Sequence, residues 1–208
     1  MASTKNQLTN SEIDQLKEIA NIGAGNASTA LSHMLGKDIQ MSVPESHVGD
    51  LLEVQRLLGN KNEEVLALFL KMLGDVNGAM LIVFTKESSL SLVQFLTKKT
   101  RKELSELDEL DKSALLEVGN ILLGASITAL GKFLDINVLH SIPDLEVDML
   151  GSIMQSVLME VGNKSEKILA FKVNLSIEDA KISSDLYYLF DPESSDKILK
   201  STADKFSK

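Results

Sequence analysis

One internal repeat constrains this chain more than any other feature. Sliding the sequence by 99 positions lays residues 14–35 (DQLKEIANIGAGNASTALSHML) on residues 113–134 (SALLEVGNILLGASITALGKFL). Leu16, Glu18, Asn21, Ile22, Gly25, Thr29, Ala30, Leu31 and Leu35 then meet identical residues, and Ser42 and Pro44 fall on Ser141 and Pro143. Further along, Phe84–Ser89 (FTKESS) matches Phe190–Ser195 (FDPESS) at an offset of 106, so the second half carries a seven-residue insertion. Self-similarity at a fixed offset marks a structural unit used twice. The expected organisation is one domain spanning 1–208, made of two repeats at about 8–100 and 107–200.

Local signals give each half the same order of elements. Thr9 or Asn10 can cap a helix running to Leu35, with Glu12 set for a capping box and Gly36 as the stop. Asp38–Val43 reads as a strand ended by Pro44, and residues 51–58 as a short helix. Val65–Met72 and Ala79–Phe84 are apolar runs joined by Gly74-Asp-Val-Asn-Gly78, which is hairpin chemistry. Glu87–Leu96 returns to helical spacing. The charged stretch Lys98–Leu110 is the candidate linker between halves. A helix over Asp111–Phe133 follows, then strands at 136–142, 154–161, 167–177 and 181–190, and a last helix from Pro192. The two longest helices carry the motifs, and the poorly alternating strands read as a sheet buried on one face by them.

Composition narrows the function. With no Trp and 4% aromatic residues, the core must be mostly Leu, Ile, Val, Ala and Met. A net charge of −9 argues against nucleic acid and anionic membrane surfaces. The absence of Cys excludes disulfides and thiolate metal sites. His33, His47 and His140 show no zinc spacing, so no metal site is expected. The N-terminus lacks an apolar signal core, and no apolar run reaches the ~18 residues of a membrane span. The expectation is a cytoplasmic protein that does not enter a membrane.

Asp14, Glu18, Asn21 and Gly25 are spaced four, three and four, which places them on one face of a helix; Ser113, Glu117, Asn120 and Gly124 repeat that face. Leu16, Ile19, Ala20, Ala27, Ala30 and Leu31 form the opposite, core-facing side of the first helix. Asn competes with the helix backbone for hydrogen bonds, so finding it twice in mid-helix asks for a reason. Gly25 and Gly124 each cost about 1 kcal/mol relative to Ala, and they leave room for another surface to approach. A single exposed Glu/Asn pair is ordinarily just solvated. A matching pair in both copies has no packing reason, although hydrogen bonds across the interface between the halves would also explain it. An amide can hold a water in line for attack on a phosphoryl group, and a carboxylate can pair with a cation and fix orientation. Neither is a nucleophile or a metal cage, so the substrate would have to bring the metal and the electrophile.

The doubled [Asp/Ser]-x3-Glu-x2-Asn motif resembles that of the CheC chemotaxis phosphatases of the CheC/CheX/FliY group. The flanking text is similar too: EIANIGAGNASTAL, LLEVGNILLGASITAL, Val43-Pro44, Ile142-Pro143, and GDVNGAM before a strand, over about Leu8 to Leu199. The resemblance implies an α+β fold, two pseudo-symmetric halves sharing a mostly antiparallel sheet with the two long motif-bearing helices packed on it, and a phosphatase acting on the phospho-aspartate of the response regulator CheY. It implies that Asn21 and Asn120 place the attacking water and that Glu18 and Glu117 pair with the regulator's conserved lysine. The protein would need no cofactor of its own, the Mg²⁺ belonging to the regulator. It also implies binding of CheD, a receptor-modifying deamidase, through the stretch around Asp148; a turn and helix start with Asp148 as cap reads equally well. FliY-type relatives carry a further C-terminal domain and CheX-type relatives one motif per chain, so a two-site monomer is expected. The alternative is a non-catalytic adaptor for CheY-P or CheD in the chemotaxis or flagellar switch system.

Overall fold

The computed structural model describes residues 10–49, 62–161, 168–177 and 181–206. In chain order these form α1 (Asn10–Leu35), β1 (Gln40–Gly49), β2 (Glu64–Gly74), β3 (Gly78–Thr85), α2 (Lys86–Thr97), a 3₁₀ turn (Leu104–Glu106), α3 (Glu109–Leu134), β4 (Val138–His140), β5 (Asp144–Met149), α4 (Leu150–Val161), β6 (Ile168–Ile177), β7 (Ile182–Phe190) and α5 (Pro192–Phe206). The Thr9/Glu12 capping box and the 51–58 helix fall outside the described residues.

The strands form one sheet in the order β1-β6-β7-β3-β2-β4, with β5 also paired to β2, and every described pairing is antiparallel. The two halves pair at the centre of the sheet, β3 with β7, and again on both flanks, where β1 pairs β6 and β2 pairs β4 and β5. Outward from the central seam, β2 answers β6, and β4 with β5 answers β1. Both motif helices end alike: Gly36 and Asp135, equivalent under the 99-residue offset, take the left-handed conformation at φ 63° and 57°. Gly36 N–H bonds Ser32 O at 2.9 Å, which closes the last turn of α1.

Pro44 does not end its strand. It lies inside β1, where the register with β6 shifts between Ser42 and Glu45. A proline has no N–H to give a ladder, but β1 is an edge strand and a bulge absorbs the irregularity. At the equivalent place in the second half the chain breaks instead. The expected 136–142 strand shrinks to β4, and after Pro143 pairing resumes as β5.

Helices cover both faces of the sheet, where one covered face was expected. Leu66, Leu68, Leu70 and Met72 of β2 join α1, α2 and α3 in the larger core cluster. Val65 and Ala67 join Ile153, Met154, Val157 and Leu158 of α4 in a smaller one. This is why β3 is buried almost from end to end and shows no alternation. The expected strand at 154–161 is instead the last eight residues of α4; Leu150, Ile153, Met154, Val157, Leu158 and Val161 are buried at helical spacing. Lys98–Leu110 is a packed strap, with Leu104 and Leu107 buried and Lys86 paired to Glu103. One helix, α3, is long and apolar enough to cross a membrane by length and composition, yet it lies in the core, with Leu115, Val118, Leu122 and Leu123 buried.

Candidate functional site

The motif helices α1 and α3 pack against each other on the same face of the sheet. Small residues bring them together. Gly23 of α1 is buried where a Cβ would stand 3.1 Å from the Tyr188 hydroxyl and 3.6 Å from the Ser126 carbonyl oxygen of α3. Gly119 does the same for α3 against the sheet, its missing Cβ leaving 3.1 Å to Leu68 Cδ1. Tyr188, rising from β7 beneath both helices, is fully buried, and burial pushes its phenol up to about 12 against the opposing pull of the Ser126 hydroxyl beside it.

The start of α3 is clamped just before its motif. Asp108 caps the helix by accepting the Asp111 N–H at 3.0 Å, and Asp111 accepts the Asp108 N–H at 3.1 Å. Asp111 is wholly buried, and its charge is met by Arg101, whose Nε donates to Oδ2 at 2.7 Å. The Lys99 ammonium at 2.7 Å, followed by the Asp111 N–H, holds the Asp108 carboxyl well below the usual carboxylate range. Ser113 sits two residues beyond this clamp.

With the helices so fixed, the motif stripes face outward. Asp14, Glu18, Asn21 and Gly25 are exposed on α1; Ser113, Glu117 and Asn120 are exposed on α3, and Gly124 is half-buried. The opposite sides of the two helices are buried through Ala20, Ala24, Ala27 and Leu31 and through Leu115, Val118 and Leu122. The side chains of Leu16 and Ile19 lie outside the described residues, and Ala30 is only half-buried, beside the groove between the helices. Among the described residues, none of the six polar motif side chains hydrogen-bonds or ion-pairs with another described group. Among the described residues, the interface between the halves therefore does not account for the duplicated Glu and Asn.

Between α1 and α3 runs an open groove of about 510 Å³. Its walls repeat each other: Asn26, Thr29 and Ala30 face Ala125, Thr128 and Ala129, which are their equivalents at the 99-residue offset. Gly25 is the one motif residue on its wall; Glu18, Asn21, Glu117 and Asn120 stand outside it. The candidate chemistry thus sits on exposed helix faces outside this groove, where a partner's surface can reach it. Among the described residues no group of three or more His, Asp or Glu is placed to hold a metal ion.

Asp148 lies apart from both stripes, exposed on β5 opposite Val65. Its Oδ1 accepts the Met149 N–H at 2.6 Å immediately before α4 begins. Sequence spacing missed two further neighbours of the second stripe. The exposed Leu110 precedes Ser113 by one turn, and His140 places Nε2 3.5 Å from where a Cβ on Gly124 would lie. Position 140 departs from the repeat, since its equivalent is Met41.

Comparison with known proteins agrees with this geometry. Residues 12–48, which contain the first motif, match the model of the CheC-like family. Over 199 residues the chain is 29% identical to the CheY-P phosphatase CheC of Bacillus subtilis, covering 93% of this chain and 94% of the relative. The fold is that of Thermotoga maritima FliY, with a TM-score of 0.75, 24% identity, and 95% and 98% of the two chains covered. It is also that of the FliM in a FliM–SpeE complex from H. pylori, with a TM-score of 0.64, 12% identity, and 96% and 98% covered.

Proposed function

We propose, from its similarity to the CheC-like family over residues 12–48 and to a curated CheY-P phosphatase over most of its length, that the chain is a phosphatase for the phospho-aspartate of a CheY-type response regulator. One observation carries the reading: two Glu/Asn pairs stand exposed and without a described partner on adjacent, firmly held helices. The relatives' CheY-P activity supports the substrate. In this mechanism a motif helix docks across the regulator's phosphorylated site. The Asn21 or Asn120 amide, able to donate and accept at once, holds a water in line with the phosphorus. Glu18 or Glu117 pairs with the regulator's lysine and fixes the angle of approach. The regulator supplies the electrophile and its Mg²⁺, and the protein supplies position.

Each motif forms one site, so a single chain carries two and works as a monomer. Residues 1–208 act as one domain of two repeats. CheD is the second partner, contacting the exposed β5 edge at Asp148. Asp148→Lys would then abolish any stimulation by CheD while basal turnover stays unchanged, and undiminished stimulation would remove Asp148 from that contact.

The experiment that tests the main reading follows decay of phosphorylated regulator with wild type, Asn21→Ala and Asn120→Ala. Each single variant should lose the share of turnover belonging to its site. A non-catalytic adaptor would instead bind phosphorylated regulator and leave its decay at the intrinsic rate.

A further inference from the structure

We propose that His140 is a further contact residue of the second site, where its Nε2 accepts a hydrogen bond from a donor group of the docked regulator. The proposal rests on the phosphatase reading of Glu117 and Asn120.

Its backbone is fixed. His140 pairs with Met72 across β4 and β2, and the next residue is bonded twice to Lys71, through Ser141 N–H to Lys71 O at 3.0 Å and Lys71 N–H to Ser141 Oγ at 3.0 Å. The ring is oriented as well. Nδ1 lies 2.9 Å from the Ser141 carbonyl oxygen. A carbonyl can only accept, so Nδ1 carries the proton, and in the neutral ring Nε2 keeps its lone pair. That nitrogen has no described hydrogen-bond partner and is the ring atom nearest Gly124, at 3.5 Å from the position of a Cβ there. Gly124 lies one helical turn beyond Asn120 on the same stripe, a separation of roughly 5–6 Å between adjacent positions. An oriented acceptor therefore stands at the edge of the Glu117/Asn120 stripe.

The first site has no counterpart. A Cβ on Gly25 would meet nothing within 4 Å, and the equivalent of His140 is Met41. If the ring merely filled space beside Gly124, methionine would serve equally well. If the nitrogen makes a contact, only a residue with an acceptor at similar reach will replace it.

The test uses the Asn21→Ala chain, in which the second site alone turns over. Dephosphorylation is measured against regulator concentration for His140, His140→Met and His140→Gln. Loss of one intermolecular hydrogen bond predicts a KM raised about 5- to 10-fold in His140→Met with kcat nearly unchanged, and most of the loss recovered in His140→Gln. In the Asn120→Ala background, which reports the first site, His140→Met should produce no KM change. Titration with beryllofluoride-loaded regulator reads the same contact by affinity without hydrolysis, so it separates failure of this contact from failure of the phosphatase reading. An unchanged KM and affinity in His140→Met would overturn the proposal. So would glutamine behaving as methionine does, or an equal KM change in the Asn120→Ala background.

Discussion

Replacing Gly25 or Gly124 by alanine should make the protein more stable and less active at once. Both glycines lie inside helices, where Gly is about 1 kcal/mol less favourable than Ala. At Gly25 the added methyl meets nothing within 4 Å, so the helix keeps nearly the whole gain. At Gly124 it meets His140 Nε2 at 3.5 Å, an ordinary van der Waals distance on an exposed side chain, and the gain is similar. For a chain of 208 residues, about 1 kcal/mol corresponds to a rise in Tm of roughly 2–4 °C. Docking is the opposite case. If the regulator's backbone approaches over the glycine, a methyl there overpacks the interface at a cost of about 1–3 kcal/mol, which is roughly 5- to 160-fold in kcat/KM at that site. The assays are a thermal melt and a dephosphorylation time course, each glycine being changed in the background where its own site alone is active. A raised Tm with unchanged kcat/KM would refute the close-approach role of the glycine. A lowered Tm would refute the helix-propensity argument.

Tyr188 predicts the alkaline limit. Its folded pKa is raised, so its contribution to stability is complete below the unfolded value near 10 and is lost as the pH climbs toward about 12. That amounts to roughly 2–3 kcal/mol by the upper end, and Tyr188→Phe should flatten the Tm profile over that range. Asp108 predicts the acid limb with the opposite sign. Its folded pKa is depressed, first by the hydrogen bond from Lys99, so its contribution is present above about pH 4 and disappears as the pH falls below that. Asp108→Asn keeps a capping side chain and should make the acid limb shallower, and an unchanged limb would discount the Lys99–Asp108 pairing. Gly78→Ala should lower the urea midpoint sharply, on the order of 3 kcal/mol or more, because its Cβ would lie 2.1 Å from the Leu189 carbonyl oxygen across the seam between halves.

How far the sequence is legible depends on whether local or distant groups decide each feature. The ends of α1 and α3 follow from local chemistry, with Gly36 as the stop and Asp108 and Asp111 as a capping box. The β2–β3 hairpin follows from its apolar runs and Gly74 and Gly78. Pro44 was misread because its effect depends on which edge of the sheet receives β1. Residues 154–161 were misread because an apolar run buried against a second core reads alike as strand or helix until its period is counted from Leu150. The duplicated stripes were legible from helical spacing, and so was their outward face. That no described group satisfies them, that α3 rests on Leu68 through Gly119, and that His140 reaches Gly124 all depend on contacts between residues far apart in the chain.

The central claim is that the two amides place the attacking water. Dephosphorylation of phosphorylated CheY-type regulator by the Asn21→Ala/Asn120→Ala protein tests it most directly, with binding to the beryllofluoride-loaded regulator measured in parallel. The account predicts that turnover falls on the order of 100-fold or more while the double variant still folds and still binds. Turnover equal to that of the wild type would contradict it.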